Sequence, residues 1–241
     1  METKIIKGIV LASYDYKEKD KLVELFSVEL GKITAILKGC KAPSAKLKFA
    51  FQPFCFAEFS VVRSGKFYQI TNASLIDSFF NISTDLDTYY LANVMLELVS
   101  VATSEEEQNP KLFVLIANTL KYICYDKINP YLVTLKFCVD MLAGIGYSAS
   151  YTKCSCCGLN YTNKVYLNLD TGEYACLSCK NDNSILLSNQ TFSCIKIANN
   201  TDYDRLNSVK ISNDVAKDAI KVVCKNLEHR LYKNIRSVKF I

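Results

Sequence analysis

The chain has 241 residues, half of them hydrophobic, with a formal net charge of +5 and eleven cysteines. It is long enough to bury a real core as one domain or two. It has no apolar run that spans a bilayer and opens on METKIIKG rather than a signal peptide, so a cytoplasmic protein without membrane attachment is expected.

Residues 1–80 read as all-β with one early helix or turn. Strands are expected at 4–11, 22–27, 31–37, 54–62 and 66–70. The turn signals between them are Leu30-Gly31, Pro43-Ser44, Gln52-Pro53 and Ser64-Gly65. Five short strands in this length fit a small closed barrel, either an OB-fold or a split SH3-like barrel, and periodicity does not choose between them. The loop from Lys38 to Phe49 is basic and flanked by aromatics. In a barrel that binds single strands such a loop supplies phosphate contacts; otherwise it is a solvated loop whose Phe49 and Phe51 fold into the core.

After Phe80 the period becomes helical. Thr84, with Asp87 three residues on, is placed to cap a first helix carrying Leu86, Tyr90, Leu91, Val94, Met95, Leu98 and Val99. Asn109-Pro110 and Asn129-Pro130 each put a capping side chain before a proline at the first helical position, so two more helices begin there. The third ends at Gly144-Ile145-Gly146. Ser188 and Ser212 cap two later helices, the last reaching about Tyr232.

Between these helices lies KCSCCGLNYTNKVYLNLDTGEYACLSCK, from Lys153 to Lys180, with two Cys-x-x-Cys pairs. Cys154 and Cys157 face Cys176 and Cys179 across 18 residues, the spacing of a closed tetrahedral zinc site of four thiolates. One structural Zn2+ per chain is expected. Tyr166, Leu167 and Leu169 before Asp170-Thr171-Gly172 read as a strand entering a hairpin that doubles the segment back. Cys156 is the spare thiol. A redox dithiol is the competing reading, but such a motif opens a helix in a βαβ unit and that pattern is missing here. The other six cysteines, Cys40, Cys55, Cys124, Cys138, Cys194 and Cys224, read as small buried hydrophobes of a reducing compartment.

Charge is segregated. Lys32, Lys38, Lys41, Lys46, Lys48, Arg63 and Lys66 stand against Glu58 alone between Leu30 and Lys66. Lys221, Lys225, Arg230, Lys233, Arg236 and Lys239 stand against Glu228 alone near the end, whereas 81–150 is acidic, with Glu105-Glu106-Glu107 in one loop. This is a footprint for a polyanion, with ordinary solubility as the bland alternative. Phosphate contact is expected from Lys32, Lys38, Lys41, Lys46, Lys48, Arg63 and Lys66, and from Arg230, Lys233, Arg236 and Lys239. Lysine far outnumbers arginine, which suits backbone contact rather than base readout. The chain lacks a phosphate-binding Gly-rich loop, a dinucleotide fingerprint and a Gly-x-Ser-x-Gly elbow. The only histidine, His229, sits among Arg and Lys, so an enzyme is not expected.

Three stretches resemble the bacterial recombination mediator family RecO. One runs from Gly8-Ile9-Val10-Leu11 through Asp15-Tyr16-Lys17-Glu18-Lys19-Asp20-Lys21-Leu22-Val23, Gly31-Lys32-Ile33 and Lys38-Gly39 to Gln52-Pro53-Phe54. The others are the paired Cys-x-x-Cys after Gly144-Ile145-Gly146-Tyr147 and the closing Arg236-Ser237-Val238-Lys239-Phe240. The resemblance implies an α+β multi-domain chain: an N-terminal OB-fold at 1–80, then an α-helical domain at 81–241 interrupted by a zinc insert at 150–183. It further implies a non-enzymatic role in the RecFOR branch of homologous recombination, with a nucleoid-associated protein that binds single- and double-stranded DNA and anneals complementary strands. RecR, the acidic C-terminal tail of single-stranded DNA-binding protein and, indirectly, RecA are the partners it implies. A zinc-ribbon adaptor that binds only proteins is the alternative.

Overall fold

The computed structural model describes residues 2–147, 149–161 and 164–241. Thr162 and Asn163, within the expected insert, lie outside them. Packing divides the chain into two compact units, 1–125 and 126–241.

The first unit is built on strands β1 (Thr3–Tyr16), β2 (Asp20–Ser27), β3 (Gly31–Leu37), β4 (Phe56–Ser64) and β5 (Phe67–Asp77). They close into a barrel in the order β1-β2-β3-β5-β4, with β3 and β5 parallel and the other pairs antiparallel. That closure is the OB-type arrangement and decides between the two barrels the periodicity allowed. β1 pairs with β2 and β4 at once, and the register shift between Val10 and Ala12 supplies the bend this requires. Between β1 and β2 the chain makes a turn, not a helix. Alternate residues point inward: Ile33, Ala35 and Leu37 of β3, and Ala57, Phe59 and Val61 of β4, are all buried. Each large apolar side chain so buried contributes roughly 2 kcal/mol. A one-residue slip would turn this set to solvent, so burial sets the register.

Helices α1 (Leu86–Ala102) and α2 (Pro110–Tyr125) complete this unit. Phe113 of α2 lies 5.9 Å from both Phe26 and Phe56, and Tyr89 of α1 meets Phe54 edge-on at 5.6 Å. Asp85 caps α1, accepting from the Thr88 N–H at 2.8 Å, in place of the expected Thr84. Thr84 belongs to the preceding short helical turn and donates its hydroxyl to the Asn81 carbonyl at 2.7 Å. Asn109 accepts from the Leu112 N–H at 3.0 Å, the cap its Pro110 neighbour implied.

The second unit packs α3 (Pro130–Gly144), α4 (Asn189–Asn200) and α5 (Asn213–Leu231), capped by Asn129, Ser188 and Ser212. α3 is buried almost all round, so it is the central helix. The thiols of Cys138 on α3 and Cys224 on α5 lie 4.0 Å apart in that interface, and Cys40, Cys55, Cys124 and Cys194 are likewise buried. Between α3 and α4 sits a sheet of β6 (Val165–Asn168), β7 (Glu173–Cys176) and β8 (Ser184–Leu187) in the order β7-β6-β8. The hairpin was legible in the sequence. β8 was not, and it carries the insert's sheet to Leu187, beyond the expected edge at 183. It covers the free edge of β6, whose Val165, Tyr166 and Leu167 are buried and need a partner on each side.

Candidate metal centre and nucleic-acid interface

The Sγ atoms of Cys154, Cys157, Cys176 and Cys179 all lie within 4.8 Å of one another, and Cys157 and Cys176 are 3.9 Å apart. Four thiolates about 2.3 Å from one tetrahedral ion stand about 3.8 Å apart, so the donor set fits a metal. Local turns aim the sulfurs. The Gly158 N–H donates to the Cys154 carbonyl at 2.9 Å, with Gly158 at φ +71°, and the Cys179 and Lys180 N–H groups both reach the Cys176 carbonyl at 3.1 Å. The Cys176 N–H points at Cys154 Sγ, 3.4 Å away. Burial opposes ionisation of Cys154, but N–H groups of Cys157, Cys176 and Cys156 outweigh it and bring this thiol down to about 6. Hydrogen bonding to Cys176, Cys156 and Cys157 drives Cys179 far up instead. Hydrogen bonding among the four sulfurs opposes their joint ionisation, and a cation at their centre would favour it. Cys156 is exposed and stands outside the group of four. Neither Cys-x-x-Cys opens a helix.

The basic residues separate into groups that linear order does not reveal. The loop from Lys38 to Lys48 is fastened to the β1–β2 tip. Gly39 donates its N–H to Asp20 Oδ1 at 2.8 Å and Lys41 donates its own to the Lys19 carbonyl at 3.2 Å. Lys41 and Lys21 both hold the Asp15 carboxylate at 3.0 Å, and they keep it below the usual range. The Lys48 ammonium bonds the Pro43 carbonyl at 2.7 Å, while Lys38, Lys46 and Lys48 stay exposed. The fold thus sets Lys17 and Lys19, exposed on the tip, beside the expected loop lysines. The charge count missed them because Asp15, Glu18 and Asp20 balance Lys17, Lys19 and Lys21 in sequence; in the fold Asp15 and Asp20 are consumed by internal contacts. Phe49 and Phe51 pack against the barrel core.

Lys32 and Arg63 are engaged elsewhere. The acidic segment after α1 runs along β3: the Glu106 N–H donates to the Lys32 carbonyl at 2.7 Å, and the Lys32 ammonium reaches the Ser100 carbonyl at 2.7 Å. Arg63 pairs with Glu106, which holds the guanidinium more firmly protonated, and stacks over Tyr68 at 4.8 Å. Lys66 is exposed at the β4–β5 turn. In the second unit Arg230 lies over the Tyr147 ring at 4.3 Å, and its guanidinium occupies the space a Cβ on Gly172 would need. Its role there is to pack α5 on the insert. Lys233, Arg236 and Lys239 are exposed. Among the described residues no helix is long and apolar enough to cross a membrane.

Family models agree with this architecture. The model for the recombination protein O N-terminal domain matches residues 1–79, and that for its C-terminal domain matches 83–239. The chain is similar to proteins named DNA repair protein RecO. One from Caldicellulosiruptor saccharolyticus is 29% identical across 98% of this chain and 97% of its own length. Another, from Clostridium novyi, is 28% identical across 90% and 85%, and a third, from Clostridium perfringens, 26% across 97% and 96%. With both models matched in order along nearly the whole length, the chain belongs to the recombination protein O (RecO) family.

Proposed function

We propose that this chain is a non-enzymatic DNA-binding mediator of recombinational repair in the RecFOR branch. It binds single- and double-stranded DNA, anneals complementary strands and, with RecR, helps load RecA onto single strands coated by single-stranded DNA-binding protein, whose acidic C-terminal tail it engages. It works in the bacterial cytoplasm at the nucleoid. The observation that carries this reading is the lysine cluster of the barrel. Lys17 and Lys19 stand exposed on the β1–β2 tip, to which the loop carrying the exposed Lys38, Lys46 and Lys48 is fastened at Gly39 and Lys41, and this tip is one of the places where OB-type barrels hold nucleic acid. Flexible point charges of this kind hold phosphates without reading bases. The thiolate cluster takes one Zn2+, and four protein ligands leave no position for a substrate, so the metal holds the insert together.

A salt series tests the reading. Affinity for oligodeoxythymidine should fall with salt by about 0.7 log units per log unit for each phosphate neutralised. Replacing Lys38, Lys46 and Lys48 by Ala should shallow that slope by about 2. An unchanged slope removes the loop from the interface. If the wild type binds RecR but no DNA at moderate salt, the protein-only adaptor replaces this reading.

A further inference from the structure

We propose that the second unit carries its own single-strand contact, with Tyr232 as the platform for an unstacked base and Lys225, His229 and Lys233 around its phosphates. The proposal rests on the DNA-binding reading above and adds a site in the other unit.

α5 ends at Tyr232 with a left-handed residue, φ +52°, that is not glycine. A side chain rarely takes that backbone, and here it leaves the ring 90% exposed. The Glu228 carbonyl accepts from the N–H groups of Tyr232 and, at 3.3 Å, Lys233. The tip is therefore a fixed bracket. Beside the ring is a cavity of about 330 Å³ lined by Leu169, Lys225, Glu228, His229, Tyr232 and Lys233, with buried Leu169 as its apolar part.

Two carboxylates stand near, and both are occupied. Glu228 Oε1 accepts from the Ile235 N–H at 2.7 Å. The Asp170 carboxylate, near His229, is held by the side-chain amides of Asn181 and Asn183 at 2.7 and 2.6 Å. Their oxygens are thus turned to protein donors, while Lys225 and Lys233 are exposed at the cavity and present ammonium groups to a ligand. Arg230, which linear charge would add, is turned inward onto Tyr147. An exposed ring with cations round one cavity matches a base flanked by phosphates. Inside a duplex every base is stacked on both faces and only the two end pairs offer a face to the ring, so the site favours single strands.

The test compares wild type, Tyr232→Phe, Tyr232→Ala and Lys225→Ala/Lys233→Ala. Each is titrated by anisotropy with labelled oligodeoxythymidine and with a blunt duplex of equal length. Tyr232→Ala should weaken single-strand binding by about tenfold with an unaltered salt slope, Tyr232→Phe should keep it, and duplex binding should move less than twofold. The double lysine variant should shallow the slope. Photo-crosslinking of oligodeoxythymidine carrying 5-iododeoxyuridine should label Tyr232. If wild type binds and Tyr232→Ala matches it, or loses both DNA forms equally, this site is wrong and the barrel reading survives. If wild type binds neither form, the DNA-binding reading falls and takes this site with it.

Discussion

Gly31 tests how the acidic segment is held on the barrel. It opens β3 at φ +66°, and a Cβ built there would lie 2.0 Å from the Glu107 carbonyl oxygen and 2.4 Å from its carbon. Both are backbone atoms, so no rotamer relieves the overlap. Gly31→Ala must either distort β3 or lift the segment, and lifting it breaks the Glu106 N–H bond to the Lys32 carbonyl and the Arg63–Glu106 pair. The left-handed backbone costs about 1–2 kcal/mol for alanine and the backbone hydrogen bond about 1, while the ion pair is solvent-screened and adds little. The sum is roughly 2–3 kcal/mol. Gly39→Ala is the control: it has a similar φ of +64° and nothing within 4 Å of its Cβ, so it carries the backbone term alone, about 1–2 kcal/mol. Hydrogen exchange at the Glu106 amide is the direct assay, because it reads this segment whether or not the two units unfold together. Gly31→Ala should lower protection there by about 30-fold or more, a figure that converts to about 2 kcal/mol, and Gly39→Ala should leave it unchanged. Equal protection in both variants would refute the close approach.

Three further outcomes follow from the same contacts. Metal analysis should find one zinc per chain; Cys154→Ser or Cys157→Ser should release it and loosen the insert, while Cys156→Ser should retain it, since that thiol stands outside the four. Asp85→Ala should destabilise the first unit by about 1 kcal/mol in urea at neutral pH, against little change for Thr84→Ala, because only Asp85 caps α1. Hydrogen bonds from Thr88 depress the Asp85 carboxyl below 3.8, so its contribution is present above that pH and lost as pH falls through the lowered value. Wild type and Asp85→Ala should then converge in acid, and a gap that widens there would contradict the cap.

Local features were legible because local spacing encodes them. Apolar runs between turn signals marked all five barrel strands, Asn129-Pro130, Ser188 and Ser212 marked helix starts, and paired Cys-x-x-Cys marked the thiol cluster that the fold then closed to within 4.8 Å. Each is a matter of residues a few positions apart, or of short turns whose chemistry is intrinsic. β8 was missed because its short segment acquires strand character only from the β6 edge it pairs with. The cap at Asp85 was missed by one residue for a similar reason: Thr84 is drawn back into the preceding turn.

The fate of the basic residues was decided by tertiary structure alone. In the sequence Lys32, Lys41, Arg63 and Arg230 look like Lys38 or Lys46. The fold commits Lys41 to Asp15, Lys32 to Ser100, Arg63 to Glu106 and Arg230 to Tyr147, and brings Lys17 and Lys19 to the loop that remains exposed. Sequence alone determined the barrel's strands, the caps at Asn109, Asn129, Ser188 and Ser212, and the cluster of four cysteines, because turns, period and spacing are properties of neighbouring residues. Which charges stay available to a phosphate depends on partners 26 to 83 positions away, and only chain closure brings those together.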